Sequence, residues 1–154
     1  MSAGARPPQA SDTFFFDTNV LLYCFDSASP AKQARAKQWV AGAWPSGRAR
    51  SSWQVINEFY ANAVRKMGMP IAEARAAVED FSVWRLEPWS MELLRRAWRY
   101  CDTAEVNFWD AMIIAAAEQA SARWLVTEDL QAGRKFGALT IVNPFEQAPS
   151  DFGL

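Results

Sequence analysis

Phe14, Phe15 and Phe16 form an uninterrupted apolar run, the pattern of a strand buried on both faces. Asp17, Thr18 and Asn19 follow without a spacer, and the run resumes at once with Val20, Leu21 and Leu22. Further along, Ser29-Pro30 supplies a helix N-cap and a proline at the first helical position. The helix it predicts runs to about Val40 and stops at Gly42 and Pro45. Residues 48–52 are a candidate second strand, after which Ser52 caps a helix over residues 53–66, ended by Gly68 and Pro70. A further helix is predicted over 71–81 and a short strand over 83–86, before Pro88. Ser90 caps a helix over 91–100 and Asn107 caps one over 108–119. The stretches RWLVT (123–127) and LTIV (139–142) read as strands, the second stopped by Pro144.

Strands therefore alternate with helices, without an internal repeat, a low-complexity block or a linker. The expectation is an α/β domain built around a parallel sheet. A chain of 154 residues fits one domain and can bury about two-thirds of its unfolded surface. The predicted organisation is a disordered lead-in over 1–12, the domain over 13–147 and a C-terminal tail over 148–154. The lead-in has one arginine and no apolar segment before Phe14, unlike a signal peptide. The longest alanine-rich apolar run, 111–117, is too short to span a bilayer. Cys24 and Cys101 have no metal-ligand spacing, which points to a reducing, cytoplasmic compartment and excludes a disulfide scaffold.

The absence of histidine removes Ser-His-Asp and Cys-His mechanisms and histidine zinc sites. Chemistry must come from carboxylates, lysines, tyrosines, hydroxyls or a cofactor. A net charge of −1 provides no global basic field for nonspecific nucleic-acid binding. Neither phosphate-binding glycine motif, GxxxxGK[ST] or a GxGxxG after a strand, is present.

A carboxylate inside the most apolar run is costly unless it is paired, hydrogen-bonded or metal-bound. In an open parallel sheet, ligands bind just beyond the carboxyl ends of the strands. Asp17 directly follows the FFF strand, and Asp129 follows RWLVT after Glu128, so both project to that edge. The alternatives are an Asx-turn at Asp17 and an ordinary acidic loop at Asp129. Asp110 lies in the first turn of its helix, where it favours the dipole, yet its neighbours Phe108, Trp109, Met112 and Ile113 are apolar. Helical periodicity puts Glu58 on the polar flank beside Asn62, the position of a solvated glutamate. If the four carboxylates converge, with Asn19 and Thr127 beside them, repulsion is about 4 kcal/mol per pair at ~4 Å and an effective dielectric of ~20. Protonation or a divalent cation must relieve it. All-oxygen ligands without His or Cys select Mg²⁺ or Mn²⁺, ions suited to hydrolysing phosphodiesters.

The segments FFFDTNVLLY, SSWQVINEFY, VNFWDAMIIAAA and LVTEDLQAG…LTIVNPF occur in this order. Together they resemble the PIN-domain ribonucleases, in particular the VapC-type toxins of bacterial toxin–antitoxin pairs, from about Phe14 to Phe145. The resemblance implies a three-layer α/β/α sandwich with a parallel sheet of four or five strands. It puts the family's acidic quartet on Asp17, Glu58, Asp110 and Asp129, with Asn19 and Thr127 in support. It further implies Mg²⁺ or Mn²⁺ held most directly by Asp17 and Asp110, and RNA cut to leave a 5′-phosphate and a 3′-hydroxyl. Glu58 becomes a site residue only through this resemblance.

By the same resemblance the expected partners are an RNA substrate, a cognate antitoxin offering a basic side chain to the carboxylates, and a second copy in a homodimer. No membrane partner is expected. Arg48 and Arg50, Arg65 and Lys66, and Arg134 and Lys135 are expected near the cleft, with Arg134 and Lys135 touching RNA phosphates. Two other readings stay open. A haloacid-dehalogenase-like phosphatase also places Asp after an apolar strand, but its second Asp is replaced here by Asn19. A non-catalytic RNA-binding or interaction module on the same scaffold is the other.

Overall fold

The computed structural model describes residues 6–154. In chain order the elements are β1 (Phe14–Phe16), α1 (Thr18–Tyr23), α2 (Pro30–Ala43), β2 (Ala49–Ser52), α3 (Trp53–Arg65), α4 (Ile71–Phe81) and β3 (Arg85–Glu87). They continue with α5 (Met91–Ala104), α6 (Phe108–Gln119), β4 (Trp124–Val126), β5 (Lys135–Phe136) and β6 (Leu139–Val142). A 3₁₀ turn, Pro149–Phe152, follows.

The sheet order is β3-β2-β1-β4-β6-β5. Five strands are parallel, as expected, and β5 adds a two-residue antiparallel edge to β6. From β1 the chain winds outward through β2 to β3, then returns past β1 to β4. Right-handed crossovers in the two directions put α1–α4 on one face and α5–α6 on the other, the three-layer arrangement. The reversal makes the β1/β4 junction the topological switch point, where an open α/β sheet opens a crevice at its carboxyl edge.

The core follows from the same patterning. Phe14, Phe15 and Phe16 are fully buried, as are most alanines of α6, whose small side chains let the helix lie close on the sheet. Phe59, Phe81, Trp84 and Trp44 form a chain of edge and tilted ring contacts on the α1–α4 side of the core. A second ring cluster joins Phe14, Trp39, Trp124 and Phe152.

Several elements depart from their expected bounds for identifiable reasons. The apolar run after Asp17 is a short helix, α1, capped by the Asp17 carboxylate. Helix α2 passes through Gly42 to Ala43, because Trp39, Val40 and Ala43 all pack inward. Gly42 is the point of close approach to the chain's last residue: a Cβ there would meet the Leu154 Cβ at 2.9 Å. Strand β3 is shifted from 83–86 to Arg85–Glu87, since Trp84 turns into the ring cluster and leaves Val83 exposed.

The described parts of the flanking segments pack onto the domain. Of the predicted disordered lead-in, residues 1–5 lie outside the described residues, but Asp12 is buried and accepts from the Gln9 backbone and from Arg6. Beyond residue 147, where a tail was expected, Phe152 is buried among Phe14, Trp39 and Trp124. Among the described residues no helix is long and apolar enough to cross a membrane.

Candidate active site

Asp17 leaves the end of β1 at the switch point, and its backbone N–H donates to the Val126 carbonyl of β4 at 3.1 Å. Its carboxylate is buried, and each of its oxygens accepts one hydrogen bond. Oδ1 accepts from the Thr18 N–H at 2.7 Å and Oδ2 from the Thr127 hydroxyl at 2.9 Å. Thr127 directly follows β4 and is itself buried; its Oγ1 accepts from the Asp129 N–H (3.1 Å) and from Asn19 Nδ2 (3.0 Å). Asn19 Nδ2 also donates to Asp129 Oδ2 at 2.9 Å. One hydroxyl and one amide thus lock the acids after β1 and β4 into a single network.

Glu58 is not the solvated surface group that periodicity suggests. It is half-buried; Oε2 accepts from the Thr18 hydroxyl at 2.9 Å and Oε1 from Gln54 Nε2 at 3.0 Å. Its place is set by α3, which Ser52 caps through the Val55 N–H. Asp110 is held by the residue that caps its own helix. Asn107 Oδ1 accepts from the Asp110 N–H (2.9 Å), while Asn107 Nδ2 donates to Asp110 Oδ2 (2.7 Å).

All four predicted carboxylates line one cleft of about 230 Å³, together with Thr18, Asn19, Gln54 and the exposed ring of Trp109. Among the described residues no lysine or arginine lines it. The family profile described as "PIN domain" matches residues 14–135, most of the chain. The chain belongs to the PIN-domain family.

No curated protein matches the chain. Among solved structures, a toxin–antitoxin complex from Klebsiella pneumoniae is similar at 22% identity and a TM-score of 0.66, over 86% of this chain and 98% of that one. VapC20 of Mycobacterium tuberculosis, described as a sarcin–ricin loop cleaving toxin, is similar at 24% identity and a TM-score of 0.61, over 73% and 87%. DNA-bound VapBC from Salmonella typhimurium gives 17% identity and a TM-score of 0.59, over 86% and 98%. At these identities the likeness is one of fold.

The electrostatics of this PIN domain follow from burial without compensation. Desolvation pushes the Asp17 carboxyl up to about 7, against the pull of the Thr18 N–H and Thr127 hydroxyl; Asp129 and Glu58 add to the rise. Desolvation likewise raises Asp110, opposed by its bond from Asn107 and assisted by Asp129 and Glu58. A hard divalent cation fits such a donor set: oxygen only, ranging from the buried Asp17 to the exposed Asp129, with no lysine or arginine among the residues that line the cleft. Among the described residues no three carboxylates group tightly enough to cage an ion alone. Magnesium tolerates this well, because it is commonly held by one or two carboxylates and keeps several waters.

The predicted basic residues are not brought to the cleft, with one partial exception. Arg134 donates to the Ala104 carbonyl at the end of α5 and stacks on Phe136. Lys135 pairs with Thr140, itself opposite Trp124 at the amino end of β4, away from the edge that bears the acids. Arg48 is buried and donates to the Gln9, Asp12 and Gly153 carbonyls, and Arg50 donates to the Gly47 and Ala49 carbonyls. Arg65 is exposed at the end of α3 and does not line the cleft. Lys66 alone is near: it lines a groove of about 250 Å³ that shares Asn19, Leu22 and Asn62 with the cleft.

Four residues carry more than the sequence reading gave them. Thr18 and Gln54 hold Glu58, Asn107 holds Asp110 as well as its helix, and Trp109 forms part of the cleft wall. Gln54 was accessible in principle, because it stands four residues before Glu58 on one helix face.

Proposed function

We propose that this PIN domain is a metal-dependent endoribonuclease that acts as the toxin of a toxin–antitoxin pair. The observation that carries the reading is the convergence of Asp17, Glu58, Asp110 and Asp129 on one cleft at the switch point, with no cationic side chain to balance them. The fold shared with a sarcin–ricin loop cleaving toxin and with toxin–antitoxin complexes supports the choice of substrate and partner.

Asp17 and Asp110 would hold Mg²⁺ or Mn²⁺ directly, with Thr127 fixing Asp17 and Asn19 fixing Asp129 beside them. A divalent ion bound there supplies positive charge to the phosphate and acidifies a water. Glu58 and Asp129 orient the attacking water and take its proton. The new bond forms between the water oxygen and phosphorus, the bond to the 3′ oxygen breaks, and the departing 3′ oxygen takes a proton from solvent water to become a hydroxyl. The products carry a 5′-phosphate and a 3′-hydroxyl. An antitoxin silences the site by placing a basic side chain among the carboxylates, where the uncompensated charge attracts it. The protein works in the cytoplasm as a homodimer. The phosphatase alternative loses ground because Asn19, in place of a second Asp, is committed to Thr127 and Asp129.

The test is cleavage of total RNA by purified, antitoxin-free protein in Mn²⁺ or EDTA, beside Asp17→Asn and Asp110→Asn. Cuts that require the metal and vanish in both folded variants are expected. Binding of RNA without metal-dependent cuts would establish a binding module instead.

A further inference from the structure

The cleft has an affinity problem. Its carboxylates repel the RNA backbone, and none of the residues lining it is basic. A divalent ion bound there would cancel part of that repulsion, and Lys66 borders only the adjoining groove, so at the cleft itself the strand gains from an attractive contact that does not depend on positive charge. Trp109 is the group placed to provide one. It is the second residue of α6, immediately before Asp110, and it lines the cleft while remaining 59% exposed. Phe108, half-buried against the core, braces it edge-on with ring centroids 5.0 Å apart. The indole is therefore held at the lip, with its large apolar surface left to water.

A flat, braced, exposed aromatic beside a phosphate-cutting centre matches the face of an unpaired base. Stacking of this kind tolerates any base and contributes substantially to single-strand binding. A base inside a duplex has no free face to offer. Resting on the nuclease reading above, we infer that Trp109 is the stacking platform for an unpaired nucleobase next to the scissile phosphate. The ring sets binding and register, while the carboxylates do the chemistry.

The test is a fluorescence and anisotropy titration with random-sequence single-stranded RNA of about 12 nucleotides, in Ca²⁺ so that the strand stays intact. Trp109→Ala should bind about 5- to 150-fold more weakly than the parent protein, with Trp109→Tyr recovering most of the loss. Trp98→Ala, an exposed tryptophan on α5 that does not line the cleft, should bind like the parent. A base-free ribose–phosphate strand should bind the parent and Trp109→Ala alike, a result that a merely structural role for the ring would not produce. Equal binding of the RNA by parent and Trp109→Ala overturns the inference, as does failure of the parent to bind it. So does a Trp109→Ala protein that keeps its RNA affinity but loses self-association, which would assign the ring to a contact between copies. Metal-dependent cleavage of total RNA is scored separately, so stacking can fail while the nuclease reading stands, and the reverse.

Discussion

Asp17 survives in the most apolar stretch of the chain because two hydrogen bonds and a cleft receive it, yet they do not fully offset its burial. The consequence is a pH-dependent fold. Desolvation raises its folded value to about 7 from an ordinary 3.8, so between those values the folded protein holds a proton that the unfolded chain has released. Stability must then fall as pH rises through that window. Asp110, also raised, adds in the same direction. Asp12 does not interfere: burial acts to raise it, but bonds from the Gln9 N–H and Arg6 outweigh this and lower it, so its contribution changes only below the window. In EDTA, the thermal midpoint should drop from about pH 4 to about pH 7, and Mn²⁺ at the upper end should restore it by binding the ionised native state. Asp17→Asn should flatten the slope; a midpoint in EDTA that does not fall across the window would rule the account out. The neighbouring hydroxyl makes a second prediction. Thr18→Val keeps the N–H bond to Asp17 but removes the hydroxyl donor to Glu58. Loss of such a supporting bond should lower Mn²⁺ affinity or RNA cleavage by about 10- to 100-fold, with little change in thermal midpoint. Calorimetric titration with Mn²⁺ and a cleavage time course read the two effects.

Two of the acids are delivered by helices, and the caps of those helices do part of the site's work. Asn107 both caps α6 and grips the Asp110 carboxylate. Substitution separates the roles. Asn107→Ala should lose the cap, lowering the unfolding free energy by about 1 kcal/mol, as well as the grip. Asn107→Ser retains a capping oxygen but has no amide to donate, so stability should stay near the parent while cleavage falls as it does in the alanine variant. Urea unfolding beside RNA cleavage decides it, and full activity in the serine variant would show the grip to be dispensable. Capping chemistry is also why α3 and α6 were legible in the sequence: Ser52 and Asn107 mark their starts, and an apolar run or face follows each. Helix α1 was not legible, since its cap is the same Asp17 that reads as a strand-end carboxylate, and its six residues are too few to display a period. Strand β5 has two residues and no pattern at all. Periodicity misplaced Glu58 because it reports burial against a core and is blind to a half-buried polar cleft between elements.

At the scale of the whole molecule, the sheet order brings together what the chain keeps far apart. Asp17 and Thr127 are separated by 110 positions, and they meet because β1 pairs with β4. The alternation of strands and helices was readable from patterning; the order β3-β2-β1-β4-β6-β5 was not, because long-range pairing leaves no local signal. The same gap explains the basic residues. Arg48 looks close to the site only when nearness along the chain stands in for position along a strand. Arg48 in fact works at the opposite edge, just before β2. Its Nε donates to the Asp12 carbonyl at 2.7 Å, Nη2 to Gln9 at 3.0 Å and Nη1 to Gly153 at 3.0 Å, with the Phe14 ring beneath it. One buried guanidinium thus fastens the segment before β1 and the segment after β6 to the same corner of the sheet. Arg48→Met should leave those carbonyls without donors and lower the unfolding free energy by about 2–4 kcal/mol. Arg48→Lys should recover little of this, because an ammonium is a single point and lacks the planar fork that spans both segments. The reading is the urea midpoint at unchanged slope, with RNA cleavage in the absence of urea retained, since no cleft residue is touched. A variant with the parent midpoint would mean that Phe152 and its ring neighbours hold the two segments without the arginine.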